Sequence, residues 1–269
     1  MNQKDWQPKK KVEEQYYSDI RQIIEQVIKG NVNVINAQEF LRKYAWQAAQ
    51  RMVVGLLYDG ANSWRAAARE SMQGRRIYEA LRSELQGPVG VRVRQLVQQN
   101  ARLISSLPLE IAEKVAQQVA ESQQAGERAE NFSSKLMAHL TRSRARLIAR
   151  TETSKASTAL TQARSEELGL QWWIWQTSQD QRVRLAHRKM QGVLCSWNDL
   201  PAPEQLVGEK SAGHYAAGNI YNCRCYPEPL LYLDQIKWPH RCYRAGSVRY
   251  VTRSEFFRIA RIPIHQEAA

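Results

Sequence analysis

Cys223 and Cys225 stand two positions apart in the stretch NIYNCRCYPEP, and His240 with Cys242 repeats that spacing further along. Thiolates and imidazoles are the donors zinc prefers, and a tetrahedral site needs four ligands, so these residues are a candidate clamp. Paired ligands are more often separated by two to four residues. A single intervening residue in an extended strand sends both side chains to one face, which suits joint ligation and plain burial equally. A disulfide is disfavoured, because four cysteines in 269 residues are too few for a framework and a reducing compartment keeps them as thiols. The pair therefore reads first as an element of the fold and second as a zinc clamp. Cys195 and His214 have no evident partner and read as loop or core positions.

Two further groups could do chemistry. Glu152, Asp180 and His187 would form an acid-base set if the fold joined them, since a carboxylate beside an imidazole tunes it for proton transfer. The plainer reading makes Asp180 the cap of a short helix, puts Arg182 and Arg184 on a solvated face, and pairs Glu152 with Arg150 or a partner from another element. No nucleotide loop, nucleophile elbow or zinc-hydrolase helix occurs, so no enzymatic activity is expected. Arg142, Arg146 and Arg150 recur every four residues, with Arg144 nearby, and would make one stripe on a helix. Such a stripe either tracks DNA phosphates without reading bases or forms a salt-bridged helix face.

The elements that must position these residues are mostly helices. Ile20, Ile23, Ile24, Val27 and Ile28 recur at helical steps, predicting a helix from Val12 to Gly30. Asn36 followed by Glu39 resembles a capping box, and Phe40, Tyr44, Ala48, Met52 and Leu56 carry an apolar face up to Asp59-Gly60. Further helices are predicted over 62–72, 75–86, 91–105 and 108–124, separated by Gly74, Gly87-Pro88 and Pro108. Another begins at Asn131 and ends at Gly169. The texture then changes. LQWWIWQTS reads as a strand covered on both faces, with Trp172, Trp173 and Trp175 as core, and DQRVRLAHRKMQG reads as a short helix ending at Gly192. A Pro- and Gly-rich loop spans 200–218, and Cys223 to Leu233 reads as another strand. The fold class is mainly α with a smaller α+β part: a helical domain over 1–140, an α+β domain over 141–233 and an extended basic, aromatic arm over 234–269.

Composition adds bounds. A chain with 43% hydrophobic residues can bury a sizeable core, its apolar runs are too short to span a bilayer, and Met1 to Lys11 lacks the apolar segment of a signal peptide. An intracellular, soluble product with no membrane partner is expected. The net charge of +13 favours contact with a polyanion, double-stranded DNA first, although basic proteins also dock on acidic proteins. From Lys237 to Arg261 there are seven Lys or Arg against one acid, Glu255. Lys237, Trp238, Arg241, Arg244, Arg249, Tyr250, Arg253, Phe256, Phe257, Arg258 and Arg261 thus form a basic, aromatic segment that would lie on a partner, on DNA or in solvent.

Taken in order, Arg150, Thr151 and Glu152 opening a helix, the tryptophan strand 173–175, Asp180, Arg182 and His187 in an element ending at Gly192, and Cys223 and Cys225 flanking Arg224 form a pattern. It resembles the phage Mu protein F-like minor head protein family, also called the phage head morphogenesis domain, over about residues 140–230. The resemblance implies a structural virion protein, made in the host cytoplasm and placed in the head near the portal vertex. It also implies a portal ring as partner, neighbouring copies in a cyclic, roughly twelve-fold assembly, and tail-proximal connector proteins. Roles in head morphogenesis, head-to-tail joining and DNA packaging or ejection follow from it. The alternative is a capsid-internal DNA-binding protein without a ring role. The family pattern also brings His187 to the Cys-Arg-Cys element as a rival fourth zinc ligand, whereas His240 and Cys242 fall outside it.

Overall fold

The computed structural model describes residues 6–28, 34–71, 74–124 and 130–261. Helix accounts for 67% of it, so the mainly-α expectation holds. Five long or medium helices come first: α1 (Lys10–Ile28), α2 (Val34–Glu70), α3 (Gly74–Ser83), α4 (Pro88–Gln124) and α5 (Glu130–Glu167). A mixed region follows, with β1 (Trp172–Gln176), α6 (Leu185–Met190), β2 (Leu194–Ser196), β3 (Tyr226–Pro229), β4 (His240–Arg244), β5 (Ser247–Val251) and α7 (Arg253–Ala260). No described helix is long and apolar enough to cross a membrane.

Two breaks expected from the sequence are absent. Gly60 lies inside α2, where a glycine costs only about 1 kcal/mol and buried residues continue past it, Leu56 and Leu57 before and Ala61 and Trp64 after. Pro108 lies inside α4. An internal proline costs about 3 kcal/mol, yet Ile104, Leu107 and Ile111 around it are fully buried, and each contributes about 1.5–3 kcal/mol. The Ser106 hydroxyl donates to the Leu103 carbonyl at 2.9 Å, engaging one acceptor near the interrupted turn. Asn36, expected as a cap, instead lies in the first turn of α2. The expected helix ends at Gly30 and Met72 lie outside the described residues.

The chain forms two compact units that interleave in sequence. One comprises Pro8–Gly60 and Leu85–Leu160; the other comprises Met1–Gln7, Ala61–Glu84 and Thr161–Ala269. These divisions differ from sequence boundaries at 140 and 233. The first unit is helical. Tyr16, Ile20, Ile23 and Ile24 of α1, Ala48, Met52 and Val53 of α2, Val97, Ile104 and Leu107 of α4, and Ala145, Ile148 and Ala149 of α5 are all buried in it. A deep polar link in it is the Tyr16 hydroxyl, which donates to Asn100 Oδ1 at 2.8 Å while Asn100 Nδ2 donates to the Leu96 carbonyl at 2.9 Å.

The second unit is built on a five-stranded sheet of order β3-β1-β2-β4-β5, antiparallel except for the β2-β4 pair. β1 is covered on both faces, as its bulky residues require. Trp173 and Trp175 face a cluster with Met190, Val193, Trp197, Tyr215, Cys223 and Cys225, while Ile174 faces Leu194, Leu230, Cys242, Val251 and Phe256. A third cluster joins Trp6, Trp64, Ile77, Leu168 and Tyr226, with Trp6 meeting Trp64 edge-on at 5.2 Å between ring centres. Beside it Arg164 clamps Glu84, Nε to Oε2 at 2.7 Å and Nη2 to Oε1 at 3.1 Å.

The segment after residue 234 is not an extended arm. Through Ala260 it supplies β4, β5 and α7, because Cys242, Tyr243, Val251, Phe256 and Phe257 bury themselves in the sheet unit. The β4-β5 hairpin turns on Ala245 and Gly246, both at positive φ (46° and 83°), as a two-residue hairpin turn demands. Thr252 and Glu255 form a reciprocal capping box at the start of α7.

Candidate functional site

The motif residues of the second unit converge beside β1. α6 is short, but Ala186, His187 and Met190 recur at helical spacing on its buried side, so packing that helix against Trp175 carries His187 inward. The ring of His187 meets Trp175 edge-on at 5.3 Å. After α6, Gly192 adopts φ +72°, a conformation that favours glycine, and its N–H donates to the Trp175 carbonyl at 2.8 Å. This turn returns the chain into β2.

Cys223 and Cys225 lie in the loop just before β3, which is shorter than the predicted strand 223–233. The loop bends at Asn222, whose φ is +53°, and the Cys223 N–H donates to the Ile220 carbonyl at 3.3 Å. Arg224, between the cysteines, pairs with Asp180: Nη1 to Oδ2 at 2.5 Å and Nη2 to Oδ1 at 2.7 Å. Asp180 Oδ1 also accepts the Arg182 N–H at 2.9 Å. Asp180 is therefore not the cap of α6, which begins only at Leu185 with no side-chain cap; it ties the Cys-Arg-Cys loop to the segment leading into that helix.

With Arg224 held by Asp180, both flanking thiols meet the imidazole. Cys223 Sγ and Cys225 Sγ each lie 3.5 Å from His187 Nδ1, and the three donor atoms are all within 4.8 Å of one another. All three residues are buried. On the far side of the ring, His187 Nε2 lies 3.0 Å from the Tyr215 hydroxyl, which makes a short hydrogen bond to Glu204 Oε1. The single phenolic proton goes to the carboxylate, so Nε2 carries a hydrogen and donates to Tyr215. Nδ1 is the atom that faces the sulfurs.

Electrostatics separate the two thiols. Cys223 is held below the usual thiol range, because the Cys225 thiol donates to it and the Cys225 N–H adds to the effect. Cys225 is pushed up, because its proton is held by Cys223 and it is buried. Burial, reinforced by the bond to Glu204, also pushes the Tyr215 phenol up. A cleft of about 60 Å³ adjoins the cluster, lined by Ser178, Arg182, Arg184, Asn222 and Arg224 together with the cluster itself. Arg184 reaches over the Tyr221 ring at 4.6 Å and donates to the Tyr221 carbonyl at 3.1 Å.

Not every candidate arrives here. His240 and Cys242 do not join the cluster: both lie on β4, where His240 Nε2 meets the Gly192 carbonyl at 2.8 Å and Cys242 is buried on the opposite face of the sheet. Cys195 is buried, its thiol 3.6 Å from the Val193 carbonyl, and His214 bonds the Leu200 carbonyl at 2.8 Å. Glu152 pairs with Lys155 at 3.1 Å, while Asp180 pairs with Arg224 and His187 faces the two cysteines.

The arginine stripe of the helical unit is an ion-pair seam. Arg146 bonds Glu14 at 2.6 Å and stacks over Tyr17 at 3.6 Å, Arg150 bonds Glu13 at 3.3 Å, and Arg144 bonds Glu110 at 3.0 Å, while Arg142 is exposed. Thr151 is buried. In the C-terminal segment Phe256 and Phe257 are core, Trp238 packs on Phe256 at 5.1 Å, Arg241 donates to the Lys189 and Gln191 carbonyls, and Arg253 approaches Asp234 at 4.0 Å. Lys237, Arg244, Arg249, Tyr250, Arg258 and Arg261 are exposed.

Tyr215 and Glu204 are site residues that sequence reasoning missed. Their signal was slight: one aromatic and one acid in a loop of small residues, Pro and Gly.

Comparison with known proteins follows the same residues. The family model for phage Mu protein F like protein matches residues 113–227, which include β1, α6 and the Cys-Arg-Cys loop. An uncharacterised protein of Haemophilus influenzae is 32% identical over 142 residues, covering 52% of this chain and 30% of that relative's length. No solved structure matches.

Proposed function

We infer from the phage Mu protein F like segment at residues 113–227 that this chain is a structural protein of a tailed bacteriophage head, acting in head morphogenesis. The family match is the observation that carries this reading, and the geometry supports a structural role. Asp180 and Arg224 lock one element to another, and His187 and both cysteines are buried. The chain sits in the virion at the portal vertex, docks on the portal ring beside copies of itself, and joins head to tail during DNA packaging and ejection.

The edge of the sheet supports docking. Among the described residues β5 is an edge strand, so one side of its backbone can pair with an added strand. Arg249 and Tyr250 on it are exposed, Tyr250 at 69%, with Arg244, Arg258 and Arg261 nearby in sequence. An acidic protein edge is the matching partner. A purely DNA-binding role is the weaker reading, because Arg144, Arg146 and Arg150 are already paired with carboxylates.

Native mass spectrometry of the full chain with the cognate portal tests this. A discrete complex with as many chains as portal subunits is the expected result. Chains that ignore the portal but bind duplex DNA, with affinity falling steeply as salt rises, would replace this reading with the capsid-internal one.

A further inference from the structure

We propose that His187 Nδ1, Cys223 Sγ and Cys225 Sγ form a three-ligand zinc site whose fourth position opens into the adjoining cleft. Bond lengths of about 2.3 Å to sulfur and 2.0–2.1 Å to nitrogen at tetrahedral angles put a sulfur and a nitrogen about 3.5 Å apart. Both Nδ1–Sγ separations are 3.5 Å. The same geometry puts two sulfurs about 3.8 Å apart, so from a largest donor separation of 4.8 Å the thiols need to close by no more than about 1 Å. Three edges of the tetrahedron are thus nearly in place before any metal enters.

The surroundings are those of a ligand set. A histidine that binds a metal through one nitrogen usually donates the hydrogen on the other to an acceptor that fixes its ring, and here Nε2 donates to Tyr215, itself anchored on Glu204. The Cys225 N–H points at Cys223 Sγ at 3.4 Å, a bond that supports a metal thiolate. The unusual one-residue spacing is explained by Arg224, which Asp180 holds while both neighbours meet the imidazole. Two thiolates and one imidazole select a borderline-soft ion such as zinc over magnesium or calcium. The cleft beside Ser178, Arg182 and Asn222 admits a water as fourth ligand.

The proposal rests on this geometry alone, apart from any portal role. The test is elemental analysis of the full chain purified without chelator, followed by titration of the metal-free chain with cobalt(II) as a spectroscopic stand-in. About one zinc per chain is expected, as is a thiolate-to-cobalt charge-transfer band that saturates at one equivalent. Cys223→Ser and Cys225→Ser should each lose the band, whereas Cys195→Ser and Cys242→Ser, which alter buried thiols outside the cluster, should keep it. A wild-type chain that holds no zinc and gives no band overturns the site, as does a band lost equally from Cys242→Ser or a Cys223–Cys225 disulfide found in the native chain. The wild-type titration decides the matter even if a variant fails to fold.

Discussion

Cys223-x-Cys225 and His240-x-Cys242 share a spacing and a donor chemistry, yet the fold puts them to different uses. The first pair lies in a loop bent at Asn222 and held by Arg224, on the Trp173 and Trp175 side of the sheet. The second lies within β4, with Cys242 packed against Ile174, Leu194 and Phe256 on the other side. Spacing fixes that two residues share a face of an extended segment; it does not fix which face, or what else arrives there. His187 arrives at the first pair because α6 packs beneath it, and nothing comparable reaches the second among the described residues.

The largest effect expected from breaking this asymmetry comes from its wall. Trp175→Ala removes a fully buried ring in contact distance of His187 and Tyr215, and should cost about 3–5 kcal/mol in urea unfolding. The next concerns the second pair. Cys242 is buried in apolar surroundings, which push its thiol up to about 11. The folded state then holds a proton that the unfolded chain releases near its ordinary value, so stability should fall as pH rises from about 9 to about 11. The loss is roughly 2–3 kcal/mol, and Cys242→Val should flatten that slope in unfolding curves taken at several pH values. If the slope is unchanged in the variant, Cys242 does not titrate as its burial requires.

How much of this was legible in the sequence differs between elements. The helical periodicity of α1 and α5 and the two-sided strand at Trp173 to Trp175 could be read directly, because burial on one stripe or on both faces leaves a pattern in residue type. Gly60 and Pro108 misled, since local breaking tendencies of about 1 and 3 kcal/mol are outweighed by buried neighbours that only the tertiary fold supplies. The C-terminal segment misled for a related reason. Its seven basic residues suggested an arm, while Cys242, Val251, Phe256 and Phe257 were the residues that decided its place. At the site, His187 could be paired with the cysteines through the family pattern alone. Glu204 lies in a single 3-10 turn and Tyr215 in the loop beyond it, so the chain from Glu204 through Tyr215 to His187 left no trace in spacing.

The clamp can be tested separately from the ligands. Arg224→Ala removes the ion pair to Asp180, and because the pair is partly exposed the expected cost is about 1–2 kcal/mol, below that of a fully buried ion pair. Its more telling consequence is local. With the Cys-Arg-Cys loop released, Cys223 and Cys225 should react faster with a disulfide reagent such as DTNB, while Cys195 and Cys242 keep their slow rates.

His240→Ala is the smallest change and closes the comparison from the other side. It removes the contact to the Gly192 carbonyl at 2.8 Å and the one to the Lys237 carbonyl at 3.2 Å. The ring is only half-buried, so water can take over these acceptors and the cost should be about 1 kcal/mol or less. The cobalt band and the DTNB rates of Cys223 and Cys225 should stay as in the unaltered chain. A loss of metal on this substitution would mean that the β4 pair reaches the cluster after all, and that the opposite-face placement of Cys242 is not what separates the two spacings.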